Sequence, residues 1–457
     1  MPIHPSLPDR PGELRHWGRA GDGILALALA EAARAADRPL LVVTADTPAA
    51  THLAEALRFF LGDEGPEATV FPDWETLPYD VFSPLPELVS QRLETLHRLG
   101  ELERGLIIAP VATLMQRLLP RDFLEAHSLR LAVGQRLDFD AFRRRLEQAG
   151  YEAVSQVMSH GEFAVRGSLI DLFPMGSELP LRIDLFDDEI DSIRTFDVDS
   201  QRTLEKIERF AMLPAREFPV DEAAINRFRR AWRETFPGDP QRSLIYREVS
   251  EGHLPGGIEY YLPLFFDRTA TLFDYLPQGT LVVHDEALPD EAEGFRAQVA
   301  ERWEQRRHDI ERPLLPPEAL WLTPDELEGQ LQTHPRIAHQ PFEHEKGDNL
   351  PARKLPPLAI QPRAAEPAAA LRQFLDAHTG RTLFVAESAG RREALLDTLR
   401  GFRLQPRTVS SWQEFLADDA PLNITAAPLE SGLWLESPDI AVIPEALLLG
   451  ERVRQRR

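Results

Sequence analysis

The sequence contains no cysteine. That excludes disulfides, zinc-thiolate centres and thiol catalysis, and it fits a reducing cytosol. Long apolar runs are missing too: none approaches the ~20 residues of a membrane span, and residues 1–17 lack the apolar core of a signal peptide. The expectation is a cytoplasmic chain with no membrane partner. Positive charge is the third shortage. Lys and Arg number 51 against 74 Asp and Glu, a formal net charge of −23, and a field of that sign repels nucleic-acid phosphates. DNA binding by this chain alone would need a concentrated basic patch. The candidates Arg143-Arg144-Arg145, Arg391-Arg392 and the terminal Arg452, Arg454, Arg456 and Arg457 are short and read as solvated faces.

What is present is a chain of 457 residues, long enough for about three to four domains. A helix over 24–36, an apolar strand at Leu40-Leu41-Val42-Val43, a helix over 51–61, a strand at Thr69-Val70-Phe71, a helix over 88–99 and a strand at Leu106-Ile107-Ile108 predict a doubly wound α/β layer. The pattern changes near Ser128. Asp138 caps a predicted helix whose Phe139, Phe142, Leu146 and Ala149 share a face. Alternating strands follow over 163–165, 169–173, 181–186 and 189–196, with turns at Arg166-Gly167 and Asp187-Asp188. A helix over 221–235 and a buried strand at Thr280-Leu281-Val282-Val283 suggest that the first layer resumes, and the Pro-rich, charged stretch from His339 to Arg363 reads as a linker.

Gly18-Arg19-Ala20-Gly21-Asp22-Gly23-Ile24-Leu25 has the glycine skeleton of a phosphate-binding loop, but Ile24 and Leu25 stand where a working loop has Lys and Ser or Thr. The Lys reaches the β/γ-phosphates and the hydroxyl holds Mg²⁺, so the loop reads as a nucleotide site with its chemistry removed. An ordinary Gly-rich turn into a helix is the other reading of the glycines. Leu281-Val282-Val283-His284-Asp285-Glu286 has the strand-then-acid-pair form of a Walker B box, and equally that of a solvated strand end. His334, His339 and His344 recur every five residues, which matches neither helix nor strand facing, so metal binding is not expected there. The acidic cluster Asp184, Asp187, Asp188, Glu189 and Asp191 is best explained by hairpin-turn chemistry. No cofactor, metal or catalytic residue is expected.

Phe71-Pro72-Asp73-Trp74-Glu75-Thr76-Leu77-Pro78-Tyr79-Asp80, with Ser83-Pro84 and Arg92-Leu93 behind it, resembles a signature shared by two kinds of excision-repair protein, the damage-verifying helicase UvrB and the transcription-repair coupling factors. So does the run from His160 to Gly167 leading to Asp171-Leu172-Phe173-Pro174, and Phe186-Asp187-Asp188-Glu189-Ile190-Asp191 leading to Phe196-Asp197. The loop favours the coupling-factor family, whose amino-terminal module lacks the Lys and Thr that the helicase keeps. Leu447-Leu448-Leu449-Gly450-Glu451-Arg452-Val453 resembles the end of that module.

The resemblance implies an α/β multidomain chain. A degenerate RecA-like, P-loop helicase-like domain is expected over 1–127 and 214–345, an inserted α+β docking domain over 128–213, a linker over 346–365 and a small α/β domain of no evident role over 366–457. In the family an RNA-polymerase-binding domain and an ATP-driven DNA translocase follow. Nothing here resembles their motifs, so the chain is expected to stop short of both and to meet RNA polymerase and duplex DNA only through domains it lacks. The alternative is a UvrB-like helicase fragment that binds ATP and DNA; a DNA-binding scaffold is a third reading, which the charge opposes.

The resemblance also implies that the insertion docks the damage-recognition ATPase UvrA, and it points to Arg166, Arg182, Phe186 and Arg194 on an otherwise monomeric chain. Strand alternation sends Leu181, Ile183 and Leu185 to one face and Arg182, Asp184 and Phe186 to the other. An exposed Phe beside an Arg has the composition of an interface hot spot. The competing arrangement tucks Phe186 under a neighbouring domain and leaves the arginines in local ion pairs.

Overall fold

The helix that follows the glycine loop, Asp22–Ala35, is buried from Gly23 to Ala33 in the computed structural model, which describes residues 3–450. A helix apolar all round needs cover on both sides. One side is a seven-stranded, wholly parallel sheet in the order Asp348–Asn349, Leu14–Gly18, Arg336–His339, Leu281–Asp285, Pro39–Thr44, Gly105–Pro110 and Ala68–Val70. The other is the last domain: Ile24, Leu25 and Leu29 share one core with Leu40 and Val42 of that sheet and with Leu383, Leu433, Leu435 and Val442 further on. Ile24 and Leu25 are therefore core residues.

Chain order and space order disagree in the parallel sheet. The strand Pro39–Thr44 lies between Gly105–Pro110 and Leu281–Asp285, so the sheet is left after Gly105–Pro110 and rejoined far downstream. The excursion holds a six-stranded sheet in the order Thr203–Ile207, Glu189–Phe196, Leu181–Phe186, Leu169–Leu172, Glu162–Arg166 and Glu152–Ala153. It is antiparallel except for its short last pair. Helix Phe139–Gln148 covers it, capped by Asp138 Oδ1 accepting from the Ala141 N–H at 2.8 Å and inserting Phe142 and Leu146. The turn at Asp187 takes φ 53°, the left-handed region that Asp tolerates better than most residues.

The excision-repair signature is core. Phe71, Trp74 and Tyr79 are buried, and Arg92, fully buried, lies over the Phe71 and Trp74 rings. Its guanidinium donates to Glu217 Oε1 at 2.6 Å, to the Pro72 carbonyl and to Gln116 Oε1. Trp74 Nε1 donates to the other oxygen of Glu217 at 2.9 Å. One buried carboxylate thus ties the chain just past the insertion to the signature segment and helix Pro86–Leu99.

The stretch expected as a linker is stitched into sheets. Asp348–Asn349 extends the parallel sheet beside Leu14–Gly18, and Ala352–Arg353 pairs antiparallel with Leu433–Glu436 at the edge of the last sheet. Arg336–His339, at the start of that Pro-rich region, is an interior strand buried at all four positions. The last sheet runs Ala352–Arg353, Leu433–Glu436, Asp439–Pro444, Arg381–Ala386, Leu422–Ala426 and Arg407–Thr408. Trp412 packs edge-on against Phe60, fixing this domain to helix Thr47–Leu61.

Candidate functional site

Two places offer chemistry to a ligand or partner. The first is the glycine loop, where strand Leu14–Gly18 turns into helix Asp22–Ala35. In a phosphate-binding loop the backbone N–H groups point at the anion. Here the Arg19 N–H donates to the Phe342 carbonyl at 2.6 Å and the Ala20 N–H to the Gln340 carbonyl at 2.9 Å. Gly23 is likewise engaged: a Cβ there would meet the Gly432 carbonyl oxygen at 2.5 Å and that of Ser431 at 3.0 Å. Backbone from the last domain thus passes where a close ligand approach would be made, and the glycine serves that approach. The Arg19 and Ala20 donors are thus already used.

The acid pair behind the strand Leu281–Asp285 is engaged too. Asp285 Oδ1 accepts from the Ala287 N–H at 2.8 Å, and Glu286 Oε1 lies 2.8 Å from His16 Nδ1 and 3.5 Å from His344 Nε2. Beside the loop a cavity of about 350 Å³ remains, lined by Gly23, Leu25, Val42, Asp285, Leu429 and Ser431 among others. Its floor is apolar and its charged rim includes Asp285, Glu291 and Glu430. Burial, more than the neighbouring Asp285 and Asp46 charges, raises the Glu291 carboxyl above its ordinary value. Such a rim opposes a triphosphate.

The second place is the outer face of the inserted sheet. The observed register aligns Ala164, Asp171, Arg182, Arg194 and Lys206 across five strands, with Arg166 and Phe186 further along the same face. The aliphatic row Ile170, Ile183, Ile193 lies on the opposite, buried face. Phe186 is 74% exposed. Arg166 is also exposed and donates to the Ser155 carbonyl. Arg182 is committed: its guanidinium grips Asp171 with two bonds of 2.7 and 2.9 Å and lies over the Phe196 ring. That bond to Asp171 raises its pKa further. Arg194 differs, because its buried Nε meets no acceptor and no ion pair to it is found among the described residues. The structure therefore brings all four predicted residues to one face while separating their roles: one arginine held, one not.

Elsewhere some arginines of the suspected basic patches are paired locally. Arg143 pairs with Glu147, Arg391 with Glu445 and Arg392 with Glu393. The terminal arginines from 452 onward, and the end of the run 447–453, lie outside the described residues. No helix among the described residues is long and apolar enough to cross a membrane. Reading the sequence alone missed His16 beside Glu286, the partner Asp171, and the passage of residues 428–432 over the loop.

Comparison with known proteins now places these features. Residues 129–218 match the family described as the UvrB interaction domain, and residues 374–448 the one described as the MFD D3 domain. The chain is 45% identical to the transcription-repair-coupling factor of Haemophilus influenzae, over 99% of this chain and 40% of that protein. Against the Escherichia coli factor the identity is 45%, over 99% of this chain and 39% of the relative. The Bacillus subtilis factor is 29% identical over 65% of the chain. The chain thus spans about two fifths of the length of the first two of these relatives. It belongs to the transcription-repair-coupling factor family, as a counterpart of the amino-terminal, UvrB-like module of those longer proteins.

Proposed function

We propose that this module recruits UvrA to stalled transcription through the outer face of its inserted sheet, and that it neither hydrolyses ATP nor uses it. The exposed Phe186, on the same sheet face as Arg166, Arg182 and Arg194, supports the reading. A large exposed aromatic on a face that also carries guanidinium groups has the composition that dominates interface energetics. Arg182, held by Asp171, presents the face more than it reaches out from it. The absent loop Lys and hydroxyl, together with the carbonyls of Gln340 and Phe342 on the loop amides, support a core without ATPase activity. RNA polymerase and duplex DNA fall to other parts of the longer family proteins.

The test measures UvrA affinity and thermal unfolding in parallel. Phe186→Ala is expected to cost about 2 kcal/mol of binding with little change in melting. Arg194→Ala should behave alike. Arg182→Ala should lower both, since Asp171 is then left buried without its partner. Unchanged affinity in the Phe186 and Arg194 variants overturns the docking assignment.

A further inference from the structure

We propose that His16, Glu286 and His344 form a binding site for a first-row divalent cation of the zinc class. They are the one group of three such side chains brought together among the described residues, and they arrive from three separate segments. His16 lies on strand Leu14–Gly18, Glu286 follows strand Leu281–Asp285, and His344 sits between Arg336–His339 and Asp348–Asn349.

The donor set and its closeness suit a tetrahedral ion. Bonds of about 2.0–2.2 Å place neighbouring ligand atoms roughly 3.3–3.5 Å apart. Glu286 Oε1 is 2.8 Å from His16 Nδ1 and 3.5 Å from His344 Nε2, and all three ligand atoms lie within 4.8 Å of one another. The imidazoles stack with centroids 4.4 Å apart and planes 15° from parallel, so one ring must turn before both in-plane lone pairs reach a single ion. Two imidazoles and one carboxylate, with the fourth position left to water, are donors for zinc; calcium and magnesium prefer oxygen alone. One carboxylate oxygen that faces two imidazoles gains from a positive charge placed among all three.

The scaffold around His344 is built for closeness. Its backbone N–H donates to Asn349 Oδ1 at 2.8 Å and its carbonyl accepts from Asn349 Nδ2 at 2.9 Å. At Gly347 a Cβ would stand 2.6 Å from the His16 carbonyl oxygen and 2.8 Å from His344 Nδ1, so only glycine lets the segment lie on the strand. Coordination through Nε2 puts the imidazole proton on Nδ1 and gives up one weak bond, the 3.2 Å contact from the Lys346 N–H. In return the ion ties the segment 340–349, which covers the glycine loop, to two strands of the parallel sheet. This assignment is independent of the docking reading.

Cobalt and zinc test it on the untagged chain. Stripped protein titrated with Co²⁺ should take up one equivalent with visible ligand-field absorption, and Zn²⁺ should bleach it. His16→Ala and His344→Ala should abolish the band, and Glu286→Gln should weaken binding tenfold or more. Zn²⁺ at a hundredfold excess over its Kd should raise the parent's unfolding midpoint by roughly 3 °C and leave the variants unmoved. Metal-free melting of each variant reports whether the fold is kept, and Glu286→Gln, closest in shape, decides if a histidine variant melts early. Absence of the cobalt band in the parent, or parental binding in folded variants, overturns the site.

Discussion

The glycine loop and the inserted sheet face are opposite outcomes of the same accounting of polar groups. At the loop, the Arg19 and Ala20 amides are spent on the chain's own carbonyls at Phe342 and Gln340, and the helix behind it is walled in by the last domain. On the inserted sheet, Phe186 stands in solvent and Arg194 Nε is left without an acceptor. A folded protein satisfies nearly all of its buried polar groups. The loop is covered by the chain's own backbone, whereas the sheet face leaves a large aromatic in solvent. Glycine count alone does not separate the two, since glycines also permit close packing of backbone on backbone.

The largest effect is expected between the two regions, where the chain returning from the insertion meets helix Pro86–Leu99. Arg92→Ala removes the partner of Glu217, whose carboxylate is 2% exposed and also accepts from Trp74. Breaking a buried pair from one side costs about 3–5 kcal/mol. Chemical denaturation should show that loss, with both regions melting together. If the inserted domain kept its own transition while the parallel-sheet domain unfolded, Glu217 would not be the link described here.

A smaller loss comes from rebuilding the loop. Ile24→Lys with Leu25→Thr restores the missing side chains, yet Ile24 is 5% exposed in the core shared with the last domain. A lysine buried there should cost roughly 3 kcal/mol of stability. Nucleotide titration should show no gain, because the Arg19 and Ala20 amides remain bonded and Gly432 still lies against Gly23. Tight magnesium-dependent ATP binding by the double variant would show that two side chains alone had closed the site.

Local patterns were legible from the sequence and distant ones were not. Alternation along Leu181–Phe186 set the faces of the inserted sheet, and Asp138 marked its helix start, because both are short-range consequences of backbone geometry. Arg336–His339 escaped notice because two of its four buried residues are Arg and His, and hydropathy cannot see that Glu328 takes the Arg336 guanidinium at 3.1 Å. The partner Asp171 lay inside a quoted motif, and counting register from the 173–181 connection would have placed it opposite Arg182. Residues 428–432 reach Gly23 across some 400 positions of sequence, and no local signal encodes that. The histidines were judged by their five-residue spacing, whereas His344 lies close to His16 and Glu286 from other segments.

The smallest effect sharpens the comparison through pH. His284 is buried on the strand behind the loop, its Nδ1 lies 2.8 Å from the Asp285 carbonyl, and its Nε2 meets no partner. Burial is the main cause that lowers its pKa below the ordinary 6.5; the Asp285 carbonyl pulls the other way and the Arg336 charge adds a smaller lowering. Protonation in the folded state would put a donor and a charge where no acceptor waits. The sign follows. Below 6.5 the unfolded chain takes up a proton that the folded chain refuses, so this histidine's contribution is fully present above that pH and declines on acidification until the folded group titrates as well. The slope from one such group is at most about 1.4 kcal/mol per pH unit. His284→Gln should therefore flatten the fall in unfolding free energy between pH 7 and pH 5, whatever its effect at pH 7. Carboxyls raised by burial, Glu31 and Glu259 among them, act in the opposite sense from 4.5 upward and cancel when variant and parent are subtracted. An unchanged slope in the variant would mean that the strand behind the loop opens to water before the rest of the fold, and that the closed region is less closed than its hydrogen bonds imply.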